Sequence, residues 1–217
     1  MVMCCVFLHL LLLLSRVCSS RRLLLAAVVL LGSRKGVAGV FCTLLVCIVN
    51  SVMCCFRLVV LLLFLMHKNL AFCSWNVRGL GHATRRDEVL AELISVSPTF
   101  AVLQETKLTS ASEHKTASFL PSRLRQCVVH DSCGASGGLL TAWDESTCCL
   151  IHSSSRPYSL TCRFSLRTDS SEFTLTNIYA PANHGEKQAF FSELSAVART
   201  VAGPWVLIGD FNLTRVP

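Results

Sequence analysis

Asn76, Glu105, Tyr179, Asp210 and Asn212 each stand at or just past the end of a short apolar run. Strands that end together can bring such residues to one rim of a sheet. Two carboxylates, two carboxamides and a phenol gathered there would suit hydrolysis of a phosphodiester. That reaction needs a cation to offset phosphate charge, a base for the attacking water, and donors toward the charge that builds on the phosphorus oxygens. Mg²⁺ binds through one or two carboxylates, with water and substrate phosphate completing its shell, and Glu105 can begin such a set. Asp210, between Gly209 and Phe211, is free to take a proton from water, and Asn212 can orient that water.

Each residue also has an ordinary structural reading. Glu105 fits a solvated strand-end charge, Tyr179 a core aromatic, and Asp210 a turn acid. Asn76 and Asn212 fit turn residues that bond their own backbone. Ser136-Gly137-Gly138 reads as a hairpin turn in preference to a phosphate cradle, and Arg85-Arg86 as a solvated helix start. Eight of the thirteen cysteines lie at or before Cys73, and the others are scattered. No CxxC pair with histidine partners occurs, so neither a zinc site nor a disulfide framework is supported. The downstream cysteines read as small buried residues or free thiols.

The elements that must position these residues follow from pattern. Ala71 to Asn76 reads as a strand, and Thr84 to Ser95 as a helix. That helix is capped by Thr84, carries Val89, Leu90, Leu93 and Ile94 on one face, and stops before Pro98. Phe100 to Gln104 is a second strand. Gln126 to His130, Gly138 to Trp143, Cys148 to His152, Leu160 to Leu166 and Phe173 to Tyr179 are closely spaced strands divided by turn residues, which implies antiparallel hairpins. Glu186 to Ala202 has Phe190, Phe191, Leu194 and Val197 at helical spacing, and Trp205 to Ile208 reads as a last buried strand. The whole implies an α/β class, with helices packed outside sheet.

Composition divides the chain near residue 70. Residues 1–69 hold seven Lys or Arg and no acid, whereas thirteen basic residues face thirteen acidic ones from residue 71 on. The net charge of +7 therefore resides in the first part and says nothing of nucleic-acid binding. That part is Leu/Cys/Val-rich and admits three readings: a signal sequence ending near Cys18-Ser19-Ser20, membrane helices, or translation of non-coding sequence. Its best span is 36–56, a run of 21 uncharged residues, enough for a helix to cross about 30 Å of hydrocarbon. Membrane localisation follows if this segment is genuine, and nuclear localisation if it is not.

Ser74-Trp75-Asn76-Val77-Arg78-Gly79-Leu80-Gly81, Leu103-Gln104-Glu105-Thr106-Lys107, Ser136-Gly137-Gly138, Asn177 to Pro181 and Gly209 to Asn212 carry a further signal. Each is weak alone. In this order they resemble the endonuclease/exonuclease/phosphatase family, most closely the endonuclease domain of plant non-LTR (LINE-type) retrotransposons. The resemblance spans residues 70–217. It implies a four-layered α/β sandwich of two packed, mostly antiparallel sheets with outer helices, cleavage of a phosphodiester dependent on Mg²⁺ or Mn²⁺, and DNA as the partner. By resemblance, Asn76 and Glu105 support metal and phosphate, Tyr179 lies near the scissile phosphate, Asp210 activates water and Asn212 helps position it.

Two departures from the family stand out. Some relatives have an acid where Arg78 stands. The family also continues past this point into further strands and an Asp-His pair, so the resemblance predicts a C-terminally truncated domain. Loss of one transition-state donor costs about 10²–10³ in rate, and impaired or absent catalysis is the expectation. The alternatives are a phosphatase or lipid phosphodiesterase of the same superfamily at a membrane, and a non-catalytic gene fragment.

Overall fold

The structure, a computed structural model, describes residues 46–47, 58–65, 68–109, 113–132 and 137–212. The signal-sequence reading lies outside these residues. So does the span 36–56, apart from Val46–Cys47, which forms a short strand β1. Among the described residues no helix is long and apolar enough to cross a membrane.

Strands β2 (Leu58–Leu65), β3 (Lys68–Asn76), β4 (Phe100–Gln104), β5 (Gln126–His130) and β6 (Leu139–Trp143) join β1 in a six-stranded sheet ordered β1-β2-β3-β4-β6-β5. Strands β7 (Cys148–Arg156), β8 (Ser159–Leu166), β9 (Glu172–Tyr179) and β10 (Trp205–Asp210) form a second sheet ordered β10-β9-β8-β7. Helix α1 (Ala83–Val96) joins β3 to β4, a short helix α2 spans Glu113–Thr116, and α3 (Lys187–Thr200) joins β9 to β10. All strand pairs are antiparallel except two, β3 with β4 and β9 with β10. Parallel neighbours need a crossover, and α1 and α3 are those crossovers. The expected hairpins are present in β7-β8-β9 and β5-β6.

Period-two alternation sorts the side chains into layers. Phe72, Phe100, Val102, Leu175, Val206 and Ile208 point between the sheets into one core with Phe164 and Phe173. Their alternates in the first sheet, Cys73, Trp75, Ala101 and Leu103, face Val89 and Leu93 of α1. Trp205 and Leu207 of the second sheet face Phe190, Leu194 and Val197 of α3. The result is helix, sheet, sheet, helix, the four-layered sandwich expected. The inter-sheet core is fastened by rings: Phe72 stacks on Phe100 at 4.8 Å, and Phe100 meets Phe164 edge-on at 5.1 Å.

Local corrections have physical causes. Helix α1 starts one residue before Thr84, with His82 at the cap position and no side-chain cap bond. Its end is a left-handed Ser97 (φ 51°) before Pro98, whose ring disfavours a helical predecessor. Ile94 is 61 % exposed, because Val89 and Leu93 suffice to cover the sheet. β10 continues past Ile208 through Asp210, since Gly209 and Asp210 still pair with Ile178 and Tyr179. The sheet also reaches across the composition boundary near residue 70, with Leu58–Leu65 pairing antiparallel to β3.

Candidate active site

Each strand-helix-strand unit ends both of its strands at a site residue. Asn76 is the last residue of β3 and Glu105 follows β4 directly; Tyr179 and Asp210 are the last residues of β9 and β10. Open α/β sheets bind ligands beyond the carboxyl ends of parallel strands. Here two sheets present such ends to one place.

The side chains meet. Asn76 Nδ2 donates to Glu105 Oε1 at 2.7 Å and to Asp210 Oδ2 at 2.9 Å. Tyr179 Oη donates to the same Glu105 oxygen at 2.9 Å. One amide thus bridges two carboxylates from different sheets. Asn76 Oδ1 also accepts from Arg78 N at 3.2 Å, so the turn reading of Asn76 holds together with its place in the site. Asp210 behaves likewise, its Oδ1 accepting from Asn212 N at 3.0 Å, whereas the Asn212 side chain makes no turn with its own backbone: its Nδ2 donates to Ala180 O, 32 residues away, at 2.6 Å. Burial is the main cause that pushes the Tyr179 phenol well above the usual tyrosine range. Its bond to Glu105 and the charges of Glu105 and Asp210 add to that.

Backbone geometry holds the set in place. Arg78, Glu105, Lys107 and Asn212 all adopt left-handed conformations, with φ between 45° and 54°. Such conformations cost non-glycine residues about 1–3 kcal/mol each and persist where surrounding contacts over-determine them. The loop after β4 has those contacts on both sides. Gly79 N donates to Glu105 O (2.7 Å) and Leu80 N to Thr106 O (2.9 Å), while Thr106 N and Lys107 N donate to the carbonyls of Gly138 and Gly137. Of the Ser136-Gly137-Gly138 motif the two glycines are described, and their carbonyls buttress the Glu105 loop. Gly209, φ +147°, has no substitute: a Cβ there would lie 2.0 Å from Ile178 O. That close approach sets Asp210 beside Tyr179.

Two groups with a part here had no role assigned from sequence. Gln104 Nε2 donates to Asn177 Oδ1 at 2.9 Å, and Asn177 Nδ2 donates to Leu103 O and Leu140 O at 3.1 Å. This is a fully buried polar tie between the sheets, directly beneath Glu105 and Tyr179. The sign available in the sequence was a carboxamide next to an apolar residue in each strand, Gln104 after Leu103 and Asn177 before Ile178. The second is Lys187, at the start of α3, whose Nζ donates to Phe211 O (3.3 Å) and Asn212 O (3.0 Å). Burial pushes its ammonium below the usual lysine range, against the opposing pull of the Asp210 carboxylate. Nothing in its spacing marks it.

The donor set fits a hard divalent cation. Two carboxylates with open lone pairs are what Mg²⁺ takes from a protein. Among the described residues no group of three His, Cys, Asp or Glu offers the closed set typical of structural zinc.

The family of this four-layered sandwich, with carboxylates collected beyond paired parallel strands, can be stated. The chain belongs to the endonuclease/exonuclease/phosphatase family, whose sequence model matches residues 73–215. Among solved structures it is similar to the human Nocturnin catalytic domain with bound sulfate anion (14 % identity, 65 % of this chain and 64 % of that one, TM-score 0.50). A humanized D. rerio TDP2 matches at 16 % identity over 67 % of this chain and 63 % of that one, TM-score 0.50. AP endonuclease LMAP from Leishmania major matches at 20 % identity over 65 % and 55 %, TM-score 0.49. The first two likenesses establish the fold. The chain spans about three fifths of the length of these three solved chains. No curated protein sequence matches it.

Proposed function

We propose that the chain is a divalent-metal-dependent phosphodiesterase acting on DNA, of the kind that nicks target DNA for a non-LTR retrotransposon. The observation that carries this reading is the Asn76 amide bridging the Glu105 and Asp210 carboxylates, with the Tyr179 hydroxyl on Glu105. The DNA substrate rests on the Trp75-Asn76-Val77-Arg78-Gly79-Leu80-Gly81 stretch and its retrotransposon resemblance. Nucleases of this family generally depend on a divalent metal, and Mg²⁺ or Mn²⁺ is the ion proposed.

Glu105, with Asn76 beside it, would hold the metal, which when bound would offset charge on the phosphate oxygens. Asp210 takes a proton from the attacking water. Its buried carboxylate is oriented by Asn76 through one oxygen and by the Asn212 N–H through the other. The water oxygen bonds to phosphorus as the bond to the leaving sugar oxygen breaks. Tyr179 retains its proton, donates it in a hydrogen bond to Glu105 and remains neutral beside the scissile phosphate. Asn212, its amide held by Ala180 O, shapes the loop and orients water through Asp210.

The test is incubation of the full chain with supercoiled plasmid and Mg²⁺ beside Asp210→Ala. The proposal expects nicking that EDTA abolishes and that Asp210→Ala lowers by about 10²–10⁴. Nicking equal in the two proteins sinks the assignment. Release of phosphate from inositol phosphates with no nicking would instead support the phosphatase reading.

A further inference from the structure

We propose that Arg78 and Lys107 form a cationic lip that grips the backbone phosphates flanking the scissile one, and so select a polynucleotide over a small phosphoester. This rests on the phosphodiesterase reading above and names the side chains that enforce its substrate class.

The two residues are placed alike. Each follows a site residue by two positions, Arg78 after Asn76 and Lys107 after Glu105. Each has a left-handed backbone, φ 51° and 54°, which turns the chain sharply out of its strand end. Their loops are stitched together by the Gly79–Glu105 and Leu80–Thr106 hydrogen bonds, so the two cations share one edge of the rim. A Cβ on Gly79 would lie 3.2 Å from Lys107 Cδ, which means that the lysine stem crosses the residue next to Arg78. Both residues are exposed.

Neighbouring cations are already engaged. Arg86 Nη1 donates to Leu80 O (3.0 Å) and Gly81 O (2.9 Å), holding the same loop, and Arg85 pairs with Glu88. Lys187 is engaged by the carbonyls after Asp210. Among the described residues, neither the Arg78 nor the Lys107 side chain enters an ion pair or hydrogen bond. A bound divalent cation would balance the Glu105 and Asp210 charges, so these two remain as positive charge for phosphates beyond the one being cut. A small phosphoester has no further phosphate diesters to place there.

The experiment measures binding without chemistry. Anisotropy of a labelled duplex is titrated with the full chain in EDTA across a salt series, for wild type, Arg78→Ala/Lys107→Ala, Arg78→Lys/Lys107→Arg, and Arg167→Ala as a distant control. Circular dichroism checks that each variant folds. Each phosphate contact contributes about 0.9 to the slope of log affinity against log salt. The double alanine variant should therefore flatten the slope by about 1.8, while the charge-preserving variant and Arg167→Ala keep the wild-type slope. Wild type and double alanine with equal slopes would overturn the lip and leave the nuclease reading standing. Absence of duplex binding by wild type would overturn both. Equal loss in the charge-preserving variant would make the two residues structural and overturn the proposal.

Discussion

Tyr179 commits its hydroxyl hydrogen to Glu105 in a half-buried position, and that choice has a titration signature. A free tyrosine ionises near pH 10. Burial, the Glu105 bond and the nearby carboxylates hold Tyr179 protonated beyond that point. Because the folded-state value is raised, its contribution to stability is fully present below about pH 10 and is lost as pH climbs through the folded value. Tyr158, the other tyrosine of the chain, is also raised, by burial first and then by Glu186 and Glu193. Tyr179 should thus give a tyrosinate absorbance step well above ordinary tyrosine pH, and Tyr179→Phe should remove that step. A step near pH 10 that vanishes in Tyr179→Phe would refute the bond to Glu105. At this scale much was legible: Asn76, Glu105, Tyr179 and Asp210 stood out because apolar alternation stops at them, and the structure brings all four together. The Asn212 amide on Ala180 O and the Lys187 clasp were not legible, because both depend on which distant carbonyl happens to face them.

Between elements, the buried Gln104–Asn177 tie decides how one sheet sits on the other. Asn177→Leu would remove one acceptor of the Gln104 amide, which keeps Val102 O, and the side-chain donors to the buried Leu103 O and Leu140 O. Each buried polar group left alone costs about 1–3 kcal/mol. Urea denaturation should therefore show a loss in that range or above; a change under about 0.5 kcal/mol, as at an ordinary surface site, would mean that the tie carries no load. The elements themselves were largely readable, since period-two and helical spacing mark β4, β5 and the core of α3 closely. Their arrangement was only partly so. Alternation cannot say that β3 neighbours β4 in parallel or that Leu58–Leu65 pairs with β3, because an unbroken apolar run of that length fits a buried strand and a helix segment equally. Strand β10 was read two residues short because Gly209 and Asp210 carry turn chemistry, and only the backbone of Ile178 shows why glycine continues the strand there.

Across the whole molecule, two βαβ units in two sheets close on one another through an aromatic core, and the described cysteines report that closure. Cys73, Cys148 and Cys162 are buried free thiols, and burial pushes the last two up to about 12. Only the thiolate reacts. Site-resolved alkylation of the full native chain should mark Cys149, which is partly open, and reach Cys73, Cys148 and Cys162 only in denaturant. Native labelling of Cys162 at the rate of Cys149 would contradict the packing of β8 against the first sheet. The bond from Asn76 to Asp210 has a consequence in time. Its partners are 134 residues apart, whereas Asn76 and Glu105 are separated by 29. At a synthesis rate of roughly 5–20 residues per second, Asn76 is joined to the chain roughly 7–27 s before Asp210 is. For that interval Asn76 and Glu105 exist without Asp210, so the bridge that joins the two carboxylates across the sheets can close only after the last strand of the second sheet is made.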